Sequence, residues 1–140
     1  LSAYYGNAFV LMAEDEDLVR SANLLFLTRA GYRVLTAGDG MEAWALFMEH
    51  EHEIDLALID MVMPKMNGPA LFEKIRGIRP DLPVIFCTGY TNEDLEKNLS
   101  GVSRVNALRK PFRPKELLAC ISLMLSEVTT SRGGAPPTSA

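Results

Sequence analysis

The sequence has few of the features that mark secreted, metal-stabilised or membrane-spanning proteins. Its two cysteines, Cys87 and Cys120, have neither the spacing of a metal site nor the density of a disulfide scaffold. No apolar run approaches the roughly 18 residues that a membrane span needs, and no signal-peptide pattern opens the chain. These absences predict a cytoplasmic domain, with Cys87 in its core.

The sequence also lacks a strong excess of either charge, since its net charge is −4 over 140 residues. A surface without basic excess gives no general attraction to nucleic acid or to anionic membranes, so we expect neither as a partner of this chain. Hydrophobic residues make up 48 % of the sequence, which is enough for a core without disulfides. The length suits one domain.

The predicted domain spans residues 9–128, after an N-terminal extension at 1–8. Residues 129–140 are mostly Ser, Thr, Gly, Pro and Ala, which cannot bury a core, so they predict a disordered tail or linker. The chain starts at Leu1 rather than at Met, and we expect it to be a piece of a longer protein.

Five short apolar runs alternate with amphipathic segments along the domain. The runs are Phe9–Ala13, Tyr32–Thr36, Leu56–Ile59, Val84–Cys87 and Val105–Leu108. Nearly continuous apolar runs are typical of strands that are buried on both faces of a parallel sheet. The alternation predicts right-handed crossovers and a three-layer α/β fold, a doubly wound (βα)5 sandwich with a five-stranded parallel sheet.

Helical periodicity predicts which faces of the connecting segments are buried. The first predicted helix carries Leu18, Ala22, Leu25 and Phe26 on one face and ends before Gly31. The weak fourth helix is marked by Leu95 and Leu99. Asn67 precedes the third helix, and Pro114 opens the fifth.

Polar residues follow the carboxyl ends of four predicted strands, where ligands bind in doubly wound sheets. They are Glu14, Asp15, Asp60, Thr88, Gly89 and Lys110. Clustered carboxylates repel one another unless a cation joins them, and oxygen ligands suit Mg²⁺. A carboxylate can attack a phosphoryl group while a lysine and a hydroxyl neutralise its oxygens. Each residue alone also fits a helix cap or a surface charge, but together they predict a phosphoryl-transfer site.

The motifs at these strand ends resemble those of response-regulator receiver domains of two-component signalling, from about Phe9 to Glu127. The matching stretches are Val10-Leu11-Met12-Ala13-Glu14-Asp15-Glu16, Asp60-Met61-Val62-Met63-Pro64-Lys65-Met66-Asn67-Gly68, Thr88-Gly89-Tyr90 and Lys110-Pro111-Phe112. The resemblance implies a flavodoxin-like fold with strand order 2-1-3-4-5. The stretches Thr88-Gly89-Tyr90 and Leu108-Arg109-Lys110-Pro111-Phe112 look more like the receiver of a hybrid sensor histidine kinase, with a stand-alone regulator as the alternative.

The resemblance also implies roles for individual residues. Asp60 would accept the phosphoryl group, from a histidine kinase or a histidine phosphotransfer domain. The Mg²⁺ cofactor would be held by Asp15, Asp60 and the backbone carbonyl of Val62, with Glu14 acting through a bound water. Thr88, Lys110 and the Gly89 amide would hold phosphoryl oxygens, and the Lys110-Pro111 peptide bond would be cis. Such a module is a signalling phosphoacceptor, not an enzyme, and catalyses only its own phosphorylation and slow dephosphorylation.

One departure from the family concerns the predicted switch residues, Thr88, Tyr90 and Ala107. Receivers often carry Tyr or Phe three residues before the lysine, and this ring swings when the domain is activated. Ala107 has no χ angle, so we expect the response to pass through the Gly89–Asn92 loop instead. The resemblance further allows a homodimer through the fourth helix, fifth strand and fifth helix.

Three other functions are alternatives to a phosphorylated receiver. An interaction module that is never phosphorylated is disfavoured by the intact acids, Thr88 and Lys110. An aspartyl phosphatase commonly has a second acid two residues after its nucleophile, where this chain has Val62, which cannot transfer a proton. A nucleotide-binding domain would have a Gly-rich loop after the first strand, where acids stand instead.

Overall fold

The predicted sheet is present. A computed structural model describes residues 7–89 and 104–133, including five parallel strands in the order β2-β1-β3-β4-β5. They are β1 (Phe9–Ala13), β2 (Arg33–Ala37), β3 (Leu56–Asp60), β4 (Val84–Thr88) and β5 (Val105–Arg109). The order confirms the flavodoxin-like prediction, and β2 begins one residue later than predicted.

The burial of the strands follows their place in the sheet. Every residue of β1, β3 and β4 is buried, whereas β2 and β5 at the two edges are partly exposed. Alternate residues along each strand enter two separate cores on opposite faces. In β1, Leu11 packs with Phe47 and Leu71 on one face, whereas Val10 packs with Leu27 and Leu117 on the opposite face.

Among residues 7–89 and 104–133, two helices cover each face of the sheet. They are α1 (Asp17–Arg29), α2 (Gly40–Glu49), α3 (Gly68–Ile78) and the C-terminal helix (Pro114–Gly133). Asn67 stands just before α3, as predicted, and its side chain caps the helix by accepting a hydrogen bond from the Ala70 N–H at 2.9 Å. Gly31 follows α1 with a φ of 98°, as predicted for a helix stop. The predicted fourth helix lies outside the described residues, so only the strand and the C-terminal helix of the predicted dimer surface are described.

The buried face of α1 differs from the prediction. Leu18 is 86 % exposed and Leu25 is 46 % exposed, whereas the buried residues of this helix are Asn23 and Leu27. The helix is apolar over more than one stripe, so hydrophobicity alone does not determine which stripe meets the sheet. The stripe with Leu18 lies instead on the surface, beside the carboxyl ends of the strands.

The C-terminal helix overlaps the segment predicted as a disordered tail or linker. It runs to Gly133, so residues 129–133 of that segment are helical. No glycine or proline interrupts the sequence between Pro114 and Gly133, and a helix can therefore continue past the last core contact. Neither this helix nor another in the described ranges is long and apolar enough to cross a membrane.

Candidate functional site

The carboxyl ends of β1, β3, β4 and β5 meet at one surface pocket of about 340 Å³. Its lining residues are Asp15, Glu16, Asp60, Met61, Val62, Thr88, Gly89 and Lys110. Six of the residues predicted from the sequence are therefore together. Glu14 lies just behind the pocket and is 3 % exposed. Tyr90 lies outside the described residues, and Ala107 pairs with Phe86 deeper in the sheet.

Three carboxylates form the centre of the site. Glu14, Asp15 and Asp60 each offer an oxygen atom, and these atoms lie within 4.8 Å of one another. Burial, and next the charge of Glu14, raise the pKa of Asp60 to about 7, against an opposing effect of Lys110. An oxygen-only set of crowded carboxylates is the donor set that Mg²⁺ prefers, so these residues fit the cation that the sequence resemblance implies.

Lys110 lies directly against these acids. Its Nζ is 2.8 Å from Glu14 Oε1 and 3.4 Å from Asp60 Oδ1. Burial lowers the pKa of Lys110, but the hydrogen bond that Lys110 donates to Glu14 and the charges of both acids outweigh this effect, so the pKa lies above its ordinary value. The Lys110 N–H donates to the Thr88 carbonyl at 2.7 Å, and the Lys110-Pro111 bond is cis, as predicted. The site thus has a fixed positive charge next to Asp60.

The loop after β3 is packed tightly against the start of α2. A Cβ atom built on Gly40 would lie 1.9 Å from the Met66 carbonyl oxygen. Lys65 has a positive φ of 70°, and its Nζ lies 3.6 Å from Asp39 Oδ2. The loop that carries Val62 therefore has little room to shift.

Sequence reasoning did not identify Arg20 and Glu16 as part of the site. Arg20 Nη1 donates to the Glu14 carbonyl at 2.8 Å, and its other terminal nitrogen pairs with Asp17. The Glu16 N–H donates to Glu14 Oε2 at 3.1 Å. The sequence signal was only an Asp and an Arg three residues apart on a helix, a spacing that is common on solvated surfaces.

An apolar groove of about 520 Å³ adjoins the acidic pocket, between α1 and the segment after β5. Its lining residues are Glu16, Leu18, Val19, Ala22, Asn23, Phe26, Lys110, Pro111 and Phe112. Glu16 and Lys110 line both the acidic pocket and the apolar groove. The exposed stripe of α1 thus forms a wall beside the acids.

The raised pKa of Asp60 predicts a specific pH dependence of stability. The folded chain keeps a proton on Asp60 that the unfolded chain releases at its ordinary pKa of 3.8. This stabilisation is complete below about pH 4 and is lost as the pH rises through about 7. Without Mg²⁺ we expect the unfolding free energy to fall by about 1–3 kcal/mol over that interval because of this group.

Urea unfolding of wild type and Asp60→Asn, with and without Mg²⁺, measures this effect. The amide cannot ionise, so the pH-dependent difference between the two proteins isolates Asp60. Mg²⁺ should remove most of the wild-type decline, because the cation stabilises the ionised carboxylate. Parallel pH profiles for both metal-free proteins would contradict the assignment.

Comparison with known proteins decides the family. Residues 10–122 match the family described as "Response regulator receiver domain". The chain belongs to this family. It is therefore a receiver domain of the kind found in two-component signalling, as the strand-end motifs predicted.

Relatives include both hybrid-kinase receivers and single-domain regulators. The chain is 38 % identical over 122 residues to the sensor kinase CckA of Brucella abortus, covering 87 % of this chain and 13 % of CckA. It is 33 % identical to the receiver protein CpdR of the same organism, covering 83 % of this chain and 95 % of CpdR. The chain spans half or less of several other curated relatives, including 47 % of the response regulator GtcR of Aneurinibacillus migulanus.

Solved structures agree with this fold. The receiver domain of the hybrid histidine kinase CckA matches with a TM-score of 0.73 at 36 % identity, covering 84 % of this chain and 99 % of that one. A receiver domain protein from Clostridium thermocellum matches with a TM-score of 0.82 at 28 % identity, covering 89 % and 98 %.

Proposed function

We propose that this receiver domain accepts a phosphoryl group on Asp60 in the presence of Mg²⁺ and passes on a signal through the resulting change of conformation. The observation that carries the proposal is the position of Asp60 in the pocket. It ends a buried strand, shares a cluster of oxygens with Glu14 and Asp15, and lies 3.4 Å from Lys110 Nζ. The three carboxylates would bind a metal ion and Lys110 would bind an anion, and a metal-bound phosphoryl group needs both.

In the proposed reaction an Asp60 carboxylate oxygen attacks the phosphorus atom. The new bond is an acyl phosphate, and the bond that breaks joins phosphorus to the imidazole nitrogen of a donor histidine, which keeps the electron pair. Asp15, Asp60 and the Val62 carbonyl would hold Mg²⁺, with Glu14 acting through a water. The cation would supply neutralisation of phosphoryl charge. Lys110, the Thr88 hydroxyl and the Gly89 N–H would bind the phosphoryl oxygens.

The geometry favours a slow loss of the phosphoryl group over phosphatase activity. Val62 stands two residues after Asp60, and its side chain is 60 % exposed at the pocket. A valine can neither transfer a proton nor hydrogen-bond an attacking water. The domain would therefore keep its phosphoryl group as a signal and would not act as an enzyme on other substrates.

Mass spectrometry after incubation with acetyl phosphate tests the acceptor directly. We expect the phosphoryl group on the peptide that contains Asp60, only when Mg²⁺ is present. Reduction of the acyl phosphate with borohydride would mark the modified residue permanently. A phosphoryl group on another residue, or labelling that ignores EDTA, would contradict the proposal.

We further propose that the apolar groove receives the protein that carries the donor histidine, a histidine kinase or a phosphotransfer domain. A phosphohistidine must come within bonding distance of Asp60, so its carrier has to rest on surface beside the pocket. The groove shares Glu16 and Lys110 with the pocket and presents Leu18, which is 86 % exposed. Exposed apolar surface of this kind is typical of protein docking.

Leu18→Glu should separate protein donors from small donors. We expect phosphoryl transfer from a phosphorylated histidine protein to slow by about 10-fold or more, because the charge must be desolvated in the interface. Labelling by acetyl phosphate should stay near wild type. Leu123→Glu is the matched control, since Leu123 is 53 % exposed on the C-terminal helix. Equal effects of both substitutions on the protein donor would refute the groove as the docking surface.

The proposed setting is a hybrid sensor kinase on the cytoplasmic side of a signalling system. Support comes from the 38 % identity with CckA and the structural match with its receiver domain. The coding sequence upstream of Leu1 tests this setting. A kinase catalytic domain there would support it, and a start codon next to Leu1 would favour a single-domain regulator.

A further inference from the structure

Glu14 is held at every polar atom of its backbone and side chain. Its N–H donates to the Ala37 carbonyl at 3.0 Å, and its Oε2 accepts from the Glu16 N–H at 3.1 Å. Its Oε1 lies 2.8 Å from Lys110 Nζ. The remaining group, the Glu14 carbonyl, accepts from Arg20 Nη1 at 2.8 Å. That carbonyl belongs to the peptide unit that joins Glu14 to Asp15.

We propose that Arg20 is a positioning residue for the metal-binding acids, acting through this peptide unit. The guanidinium fork holds the Glu14 carbonyl with one nitrogen and the Asp17 carboxylate with the other. The peptide plane between Glu14 and Asp15 is thereby fixed, and with it the direction in which Asp15 leaves the backbone. Asp15 itself is exposed, so the backbone that carries it has a large part in setting the position of its carboxylate. The inference rests on the proposed function, because it presumes that these acids bind Mg²⁺.

Charge and position predict opposite effects when Arg20 is removed. A positive charge near the three acids repels a second cation, so Coulomb's law alone predicts that an uncharged side chain tightens Mg²⁺ binding. A lost positioning contact predicts the reverse, since outer contacts that orient metal ligands change affinity by about 10–100-fold. The Arg20 side chain is three-quarters buried, and both of its terminal nitrogens have partners. It is therefore held rigidly, and we expect the lost positioning contact to outweigh the lost charge.

The test is a titration with Mg²⁺ alone, followed through the amide NMR signals of Asp15 and Glu16. We expect Arg20→Met to weaken Mg²⁺ binding by about 10-fold, with a smaller loss in Arg20→Lys, which keeps a donor but not the fork. Asp17→Asn distinguishes the two contacts of Arg20, because it removes the exposed ion pair with Asp17 and leaves the hydrogen bond to the Glu14 carbonyl. Its Mg²⁺ affinity should remain within about twofold of wild type. Arg29→Met, in the last turn of the same helix, controls for loss of charge.

Each result has one meaning. Weaker Mg²⁺ binding in Arg20→Met, partly restored by lysine, supports the inference, provided the metal-free variant unfolds cooperatively like wild type. Unchanged or tighter binding overturns it, as does a loss in Asp17→Asn equal to that in Arg20→Met. Absence of Mg²⁺ binding in the wild type would instead refute the proposed function. The two failures are therefore distinguishable.

Discussion

Asp60→Asn is expected to reduce Mg²⁺-dependent labelling by acetyl phosphate at least about 100-fold, because an amide oxygen is a far weaker nucleophile than a carboxylate. The substitution keeps size and shape at the end of β3. The amide still offers an oxygen to the pocket, so the fold should persist. Phosphate incorporation measured with a radioactive donor, beside circular dichroism of both proteins, provides the readout.

Asp55→Asn is the matched control for this experiment. Asp55 lies just before the opposite end of β3, where its Oδ2 accepts a hydrogen bond from the Phe9 N–H at 2.8 Å. An asparagine there keeps an acceptor and removes the same charge. Its labelling should equal that of wild type. Retained labelling in Asp60→Asn, or an equal loss in both variants, would place the acceptor elsewhere.

Gly40→Ala is expected to destabilise the domain by about 2–4 kcal/mol. The added methyl group would lie 1.9 Å from the Met66 carbonyl oxygen, a contact with backbone that no side-chain rotation can relieve. Either α2 or the loop after β3 must move. Because that loop carries Val62, Mg²⁺ binding should weaken as well, and urea unfolding with and without Mg²⁺ would show both effects.

Gly77→Ala makes the same chemical change where the structure has room. Gly77 lies in α3, and nothing stands within 4 Å of its added Cβ. An alanine should stabilise the helix by about 0.5–1 kcal/mol, since it lowers the conformational freedom of the unfolded chain. Similar destabilisation in both variants would show that close packing at Gly40 is not the cause.

The sheet and the pocket could be predicted because each rests on a strong local signal. Short apolar runs such as Leu56–Ile59 are typical of buried strands, and Asp60 follows directly after that run. Parallel strands then bring their carboxyl ends to one edge, whatever the detail of the loops. Asp60 and Lys110 therefore meet in the structure although they are 50 positions apart.

Other features could not be predicted because they depend on orientation or distance between elements. The rotation of α1 about its axis leaves Leu18 exposed and buries Asn23, and nothing in the local sequence determines that angle. Arg20 reaches the Glu14 carbonyl only because that rotation points it toward the loop. The close approach of Gly40 to Met66 depends on how two loops meet, which a pattern of residue types does not encode.

In the sheet, the first two strands and the last three strands form two groups, and a single strand pairing joins these groups. β1 and β2 belong to the first group, and β3, β4 and β5 belong to the second. The β1–β3 ladder, from Val10 with Leu56 to Ala13 with Ile59, joins them. Glu14 and Asp15 follow directly at the end of that ladder on one side, and Asp60 on the other. If these acids share a cation as proposed, that cation would link the two groups, and the proposed signalling chemistry and the cohesion of the sheet would then depend on the same few atoms.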